Sequence, residues 1–322
     1  MANGPIQTDT HSVAQTVPTE TRHLDQLRAI ILLGGSVRPT PWTDAIGRSV
    51  LDLPVDETRG TVLDHWLQQS EQLAGALGLD RLPLRVLIDR KAVEPQPSRP
   101  AQSGTLRIER DPLELRGTGG FLRDAAKEYG DDDWILVATA RQILLEPLIE
   151  LVESLATNRA DVNLISHRDG VPCGLMLVRC RCLQTIPSIG FVDMKEQALP
   201  LIAATRRVRV IERVEPTGLL ISTLEGYIHA LRTHHQTLTH HIRTPDPFAD
   251  DWRSTFSLVE DGQAVHSTAY LHDAVVLRGA KVGAGAVVAR SVICSGAVVR
   301  RNQTVTDTIA VPRNGRHHNN ER

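Results

Sequence analysis

Leu33-Gly34-Gly35-Ser36, with Arg38 two residues further on, closes a run of aliphatic residues. Glycines at a strand end let backbone amides face an anion, and a guanidinium adds a two-pronged donor. Leu33, Gly34, Gly35, Ser36 and Arg38 are therefore candidates for cradling phosphate. A tight turn with a surface arginine would use the same residues. Gly117-Thr118-Gly119-Gly120 is a second glycine-rich segment, placed where a helix should open at Phe121. Cys180 and Cys182 read as a C-x-C on a strand, which sets both thiols on one face about 7 Å apart, too far for a disulfide. They are expected as ordinary buried thiols, because a metal would need ligands from elsewhere. His234, His235, His240 and His241 cluster on a helix without the i, i+4 spacing of a metal pair, so a solvated helix face is expected.

The elements that must position these residues follow from hydrophobic periodicity. From Arg28 to Leu33 the chain is short and almost continuously apolar, as in a parallel strand buried on both faces. Thr61 to Leu79 has helical spacing, with Leu63, Trp66, Leu67, Leu73 and Leu77 on one side and Gly78 as a stop. Further strands are expected at 84–89, 106–109, 134–138, 162–165 and 174–178. Helices are expected at 121–129, at 143–156 and after Ala230. Strands alternating with helices predict an α/β fold, a mostly parallel sheet covered on both faces.

Past the proline-marked Thr244-Pro-Asp-Pro-Phe248 the texture changes to a six-residue repeat. Its aliphatic positions fall at 276, 282, 288, then 293, 299, 305 and 311, with one slip of register. Such hexads build a parallel β-helix in which the aliphatic fills the interior and Gly or Ala eases the corners. Two to three coils are too few to stand alone, so this piece should dock on the α/β unit. The expected organisation is a disordered tail at 1–23, an α/β domain at 24–243, a linker at 244–262, the β-helix at 263–311 and a second disordered tail at 312–322.

Taken in order, these landmarks resemble those of the sugar nucleotidyltransferases, the NDP-sugar pyrophosphorylase family that includes mannose-1-phosphate guanylyltransferases. The resemblance runs from about Ala29 to Val311, with hexapeptide repeats at its C-terminal end. Leu32-Leu-Gly-Gly35 and Arg38-Pro-Thr40 match the two ends of the family loop L-A-G-G-x-G-T-R-L-x-P-L-T, whose middle is shortened here. Gly47 to Leu53 matches P-K-P-L-L-P-V, with Arg48 at the lysine position. Arg116 to Gly120 matches L-G-T-A-G. Gly174-Leu-Met-Leu-Val178, with Ile186-Pro187 and Ala198-Leu-Pro200, matches G-I-Y-V, I-P and L-L-P. Leu220 to Tyr227 stands where the family has D-I-G-T-P-E-D-Y. The resemblance implies a nucleotidyltransferase-type, Rossmann-like sheet followed by a short left-handed β-helix.

It also implies roles. In the family, loop amides and an arginine hold a triphosphate, a lysine neutralises charge, and glycines equivalent to Gly117, Gly119 and Gly120 approach the base. Two aspartates hold the Mg²⁺ that screens the α-phosphate during attack by a sugar 1-phosphate. Here Arg141 stands at or beside the first aspartate position and Leu220 at the second, and the chain has no Glu-Lys-Pro sugar hairpin. The candidate nucleotide and phosphate contacts are thus Leu33, Gly34, Gly35, Ser36, Arg38, Arg48, Gly117, Thr118, Gly119, Gly120 and Arg141, with no catalytic residue and no metal ligand assigned. The leading expectation is a degenerate member that binds a nucleotide or nucleotide sugar, or acts as a regulatory or assembly partner of an active paralogue. Assembly, as a homo-oligomer or with the paralogue, would run through the β-helix. The alternative is an active, Mg²⁺-dependent nucleotidyltransferase whose metal is held by carboxylates among Asp89, Asp131, Asp132, Asp133 and Asp193. A structural partner with no ligand is a third option.

Composition narrows the partners. A formal net charge of -2 with interspersed signs leaves no electrostatic footprint for nucleic acid or an anionic membrane. No apolar run reaches the ~18–20 residues of a membrane span, and residues 1–23 lack a signal-peptide core, so a cytoplasmic protein is expected. Its four cysteines are then expected as thiols.

Overall fold

A computed structural model describes residues 21–34, 40–57, 60–98, 105–111, 116–157, 160–167, 172–240, 256–261 and 264–312. Most of both expected tails lies outside these residues. Thr21–Gln26 is a 3-10 turn leading into the first strand, so regular structure starts just before the expected domain boundary.

Nine strands belong to the larger unit: β1 (Leu27–Leu33), β2 (Leu84–Ile88), β3 (Leu106–Arg110), β4 (Trp134–Thr139), β5 (Gln142–Leu144), β6 (Val162–His167), β7 (Pro172–Arg179), β8 (Val208–Arg213) and β9 (Gly218–Leu220). Seven form one sheet in the order β3-β2-β1-β4-β7-β6-β8. Every neighbour pair in it is parallel except the two that β7 makes, with β4 and with β6. The reversal has a simple cause. Only residues 168–171 separate β6 from β7, and a parallel return needs a crossover of about a dozen residues.

Among the described residues seven α-helices accompany the strands: α1 (Pro41–Ile46), α2 (Val62–Ala76), α3 (Gly117–Ala125), α4 (Leu148–Ala156), α5 (Cys180–Leu183), α6 (Leu199–Ala203) and α7 (Leu224–His240). They cover both faces of the sheet, and β1 shows how. Ile30 and Leu32 point into a core shared with α1, α2, α4 and α7, while Ala29 and Ile31 point into a second core with α3, α5 and α6. At the start of α2, Thr61 and Asp64 form a reciprocal capping box that satisfies two otherwise unpaired amides.

Three local expectations are corrected. Gly117 to Gly120 is the first turn of α3 itself, not a loop before a helix at Phe121. The stretch read as helical from Ile143 begins as β5, and α4 starts only after Pro147, where the Gln69 side chain accepts the Leu148 N–H at 2.8 Å. Cys180 opens the helical turn α5, so the two thiols do not share a strand face. Both are buried, and burial pushes them up to about 12 for Cys180 and about 11 for Cys182.

The C-terminal part is a stack of short parallel strands: β10 (Ser257–Val259), β11 (Tyr270–His272), β12 (Ala274–Val276), β13 (Lys281–Val282), β14 (Val287–Ala289), β15 (Val292–Ile293), β16 (Val298–Val299), β17 (Thr304–Thr306) and β18 (Ile309–Ala310). They form three sheets, β10-β12-β15-β18, β11-β14-β17 and β13-β16. Ser257 pairs with Ala274, Val275 with Val292 and Val287 with Thr304, a 17-residue repeat throughout. The slip between 288 and 293 is therefore no defect. Each turn consists of two steps of six and one of five, and Val276, Val282, Val288, Ile293, Val299 and Val305 line one apolar interior. The next inward residue is Ala310, and Val311, expected inside, is exposed. The stack also begins at Ser257, within the stretch read as a linker.

This stack is docked on the larger unit. Its residues Phe256, Leu258, Val275, Leu277, Val292 and Cys294 join the same core as α2 and α7. Two ion pairs flank that seam, Arg48 with Glu260 and Arg232 with Asp273.

Candidate functional site

Because β2 and β3 lie on one side of β1 and β4 on the other, the strand order reverses between β1 and β4. In open α/β sheets ligands bind outside the carboxyl ends of the strands at such a point. Leu33 and Gly34 stand at that end of β1, Thr139, Ala140 and Arg141 at that end of β4, and Leu33 is paired with Thr139. The Leu33 carbonyl accepts the Ala140 N–H at 3.1 Å, and the Trp66 indole donates to the Ala140 carbonyl at 2.9 Å, pinning the β4 end from beneath.

Gly34 serves the sheet directly. Its N–H donates to the Leu87 carbonyl at 2.8 Å, and a Cβ there would stand 3.2 Å from Val86 Cγ1. That amide prolongs the β1–β2 pairing and is not available to a phosphate, which corrects its expected role. Gly35, Ser36 and Arg38 lie outside the described residues.

The expectation for Arg48 is corrected as well. Its guanidinium grips Glu260 bidentately, 2.8 Å on each arm, at the seam with the C-terminal stack. Burial works against the Arg48 charge, and the Glu260 hydrogen bond outweighs it, so its pKa is raised. A cation already matched in this way has no fork left for a ligand.

Gly117 to Gly120 is likewise occupied. A Cβ on Gly117 would fall 2.4 Å from the Val192 carbonyl oxygen, Gly117 has φ of 75°, and the Gly119 N–H donates to that same oxygen at 2.9 Å. A Cβ on Gly120 would meet the Arg116 side chain at 2.5 Å. Thr118 Oγ1 accepts the Met194 N–H at 3.1 Å. The glycines let the chain's own residue 192 approach, and the face a base would need is covered.

Arg141 behaves differently. It lies two residues past β4 and directly before β5, is half-buried, and among the described residues has no hydrogen-bond or ion-pair partner for its guanidinium. Burial alone lowers its pKa. Its carbonyl accepts the Ile221 N–H at 2.9 Å, and Gln142 pairs with Leu220 across β5–β9. The two positions at which the resemblance expects metal-binding aspartates are thus brought side by side, and they hold an arginine and a leucine that is 48% exposed.

The alternative carboxylates do not converge there. Asp131, Asp132 and Asp133 precede β4 at the opposite end of the sheet, about 20 Å away by strand rise, and Asp133 accepts from Arg28 Nε at 2.9 Å. Asp193 caps the turn after it, accepting from the Lys195 and Glu196 amides. Asp89 ends β2 at the correct end and accepts the Lys91 N–H at 3.0 Å. Its neighbour Asp111 at the end of β3 is bound by Arg116 at 3.0 Å. Among the described residues no group of three or more His, Cys, Asp or Glu is arranged to hold a metal ion.

Sequence reasoning missed Gln142. It is 1% exposed, and its Nε2 has no hydrogen-bond partner, a rare condition for a buried amide. A lone glutamine opening the apolar run Gln142-Ile-Leu-Leu145 was the available signal. The histidines are also corrected. His234 packs edge-on against His65 with centroids 5.5 Å apart, and His235 stacks on Phe256 at 5.6 Å and lies 3.1 Å from the Val55 carbonyl. His234 and His235 form part of the seam, not a solvated face; the His240 side chain and His241 lie outside the described residues.

No family model matches the chain, and no curated protein matches it. Several solved structures are similar to it. HddC from Yersinia pseudotuberculosis is 13% identical with a TM-score of 0.45, over 64% of this chain and 98% of that one. The homologue of Mycobacterium tuberculosis rv0371c from Mycobacterium sp. strain JC1 is 16% identical with a TM-score of 0.43, over 65% and 99%. A candidate glucose-1-phosphate thymidylyltransferase from Bacillus anthracis, in complex with sucrose, is 12% identical with a TM-score of 0.46, over 68% and 98%. Likeness at this level carries no argument about chemistry. Among the described residues no helix is long and apolar enough to cross a membrane.

Proposed function

We propose that the chain is a nucleotidyltransferase-like protein that binds a nucleotide or nucleotide sugar at the β1–β4 end of its sheet and does not carry out metal-dependent nucleotidyl transfer. One observation carries this reading. Arg141 and Leu220, the positions at which the resemblance expects two metal-binding aspartates, lie diagonally across the start of β5 and the end of β9, where Gln142 pairs with Leu220 and the Arg141 carbonyl accepts the Ile221 N–H, and neither offers a carboxylate. Mg²⁺ requires near-octahedral oxygen ligation, and a guanidinium at its first ligand position opposes it. The residues present do not fit the ion.

In the same reading the C-terminal stack is a left-handed β-helix through which the chain assembles, as a homo-oligomer or with an active paralogue. Exposed Tyr270 and Val287, paired on its outer face, support a contact role there. Calorimetric titration of the full chain with GDP, UDP, ADP, dTDP and their hexose conjugates tests the binding. Saturable one-to-one binding of at least one is expected, and no heat or thermal shift with any of them removes the reading.

A further inference from the structure

We infer that the end of the sheet between β1 and β4 is a metal-independent subsite for a phosphate or diphosphate group, whose charge is met by Arg141 in place of a divalent ion. This rests on the nucleotide-binding reading and specifies how that site handles charge.

Arg141 is isolated. Three other arginines drawn into this fold are matched by acids, although Arg206, whose buried Nε has no partner, is not. Arg85, 1% exposed, holds Glu109 at 2.6 and 2.7 Å; Arg48 holds Glu260; Arg116 holds Asp111 and Asp124. Arg141 is half-buried with no carboxylate against it among the described residues, and burial acts on it unopposed. Partial burial of an unpaired cation costs free energy that an anionic ligand would recover.

Neutral donors stand beside the cation. The next residue, Gln142, keeps a buried amide N–H without an acceptor. A Cβ on Gly174 would stand 2.7 Å from Thr139 Oγ1 and 3.7 Å from Gln142 Nε2, so this glycine, at φ of 79°, leaves a hydroxyl and an amide donor with no side chain between them. A cation, an amide and a hydroxyl within four residues of the β4 end are donors suited to phosphate oxygens.

A divalent metal fits poorly here. Leu220 is apolar, and at this end of the sheet Asp89 is engaged by the Lys91 amide and Asp111 by Arg116. Arg141 supplies one positive charge where the ion would supply two, which favours holding a diphosphate over activating one.

The test is isothermal calorimetry of the full chain with inorganic pyrophosphate and with GDP, in EDTA and in excess Mg²⁺, for wild type, Arg141→Gln and Arg141→Lys. Unchanged circular dichroism and melting temperature of the variants establish that they fold. Binding in EDTA is expected, with Mg²⁺ weakening it by complexing the probe. Arg141→Gln should lose about tenfold or more in affinity, with Arg141→Lys between the two because it keeps charge without the fork. Binding that appears only with Mg²⁺, or an Arg141→Gln affinity within about twofold of wild type, overturns the inference and leaves nucleotide binding standing. Failure of both probes in both buffers also overturns the inference, and the parent reading falls with it only if UDP, ADP, dTDP and the hexose conjugates give no heat either.

Discussion

Glu260→Gln tests how the C-terminal stack is held. In the folded protein the Glu260 carboxylate takes both arms of Arg48 at 2.8 Å and also accepts the Arg278 N–H at 2.5 Å. The side chains are only 21% exposed for Arg48 and 13% for Glu260. Removing one partner of a fully buried ion pair costs about 3–5 kcal/mol, because the other charge is left without compensation. About a fifth of Arg48 still reaches water, so solvent screening reduces this to about 2–3 kcal/mol. Arg48→Met removes the stranded charge, so the double variant should recover about 1–2 kcal/mol of the loss, as expected of two groups in direct contact. The assay is urea unfolding at pH 7 followed by the fluorescence of buried Trp42, Trp66 and Trp134, with amide exchange at Val275 and Leu277 reporting the seam locally. A loss below about 0.5 kcal/mol for Glu260→Gln, or single-variant effects that simply add, would refute the reasoning. If Arg48 instead serves a phosphate, its loss should weaken ligand binding and leave the seam intact.

Burial, with His234 adding repulsion, holds the His65 imidazole down at about 4, whereas the unfolded chain takes up that proton near 6.5. The contribution is complete above about pH 6.5 and declines as the pH falls toward 4, by roughly 2 kcal/mol at pH 5. The melting temperature should therefore drop from pH 7.5 to 5, and His65→Gln should flatten that drop; equal slopes would contradict it. Gly117→Ala drives a Cβ into the Val192 carbonyl at positive φ and should cost about 2–4 kcal/mol in urea unfolding. A neutral effect would return these glycines to a ligand role. Val288→Ala should cost about 2 kcal/mol, while Val287→Ala, on the outer face at 37% exposure, should stay within about 0.5 kcal/mol. The reverse order would break the 17-residue register.

The inner strands of the main sheet were legible because their residues are largely apolar on both faces, whereas the edge strand β8, Val208-Arg-Val-Ile-Glu-Arg213, is broken by charges and was not expected. β1, β2 and β4 each read as nearly continuous apolar runs, interrupted only by Arg28 in β1 and Arg85 in β2 and ended by Thr139 in β4. Sheet order and the reversal of β7 were not legible, since they are set by pairing between distant segments and by a short connection. The hexads revealed the stack, yet one slip seen once gave no reason to expect it every turn; only Val276 above Ile293, Val282 above Val299 and Val288 above Val305 exposes the five-residue step. At the site, residue type indicated a cation for Arg38, Arg48 and Arg141 alike. What separates Arg48 from Arg141 is Glu260, a carboxylate more than 200 residues away in sequence, and no local pattern carries that. Gly117 was legible as a position of close approach. Whether a base or Val192 makes the approach depends on tertiary packing.

The central claim is that this sheet end holds its ligand without transferring it. The direct measurement is isotopic exchange of pyrophosphate into each nucleoside triphosphate, with Mg²⁺ and a panel of hexose 1-phosphates, under conditions in which calorimetry shows the nucleotide bound. No exchange above the protein-free rate is predicted for any combination. Mg²⁺-dependent exchange that disappears in EDTA would contradict the account, and would require carboxylates other than those now placed at the ends of β2 and β3.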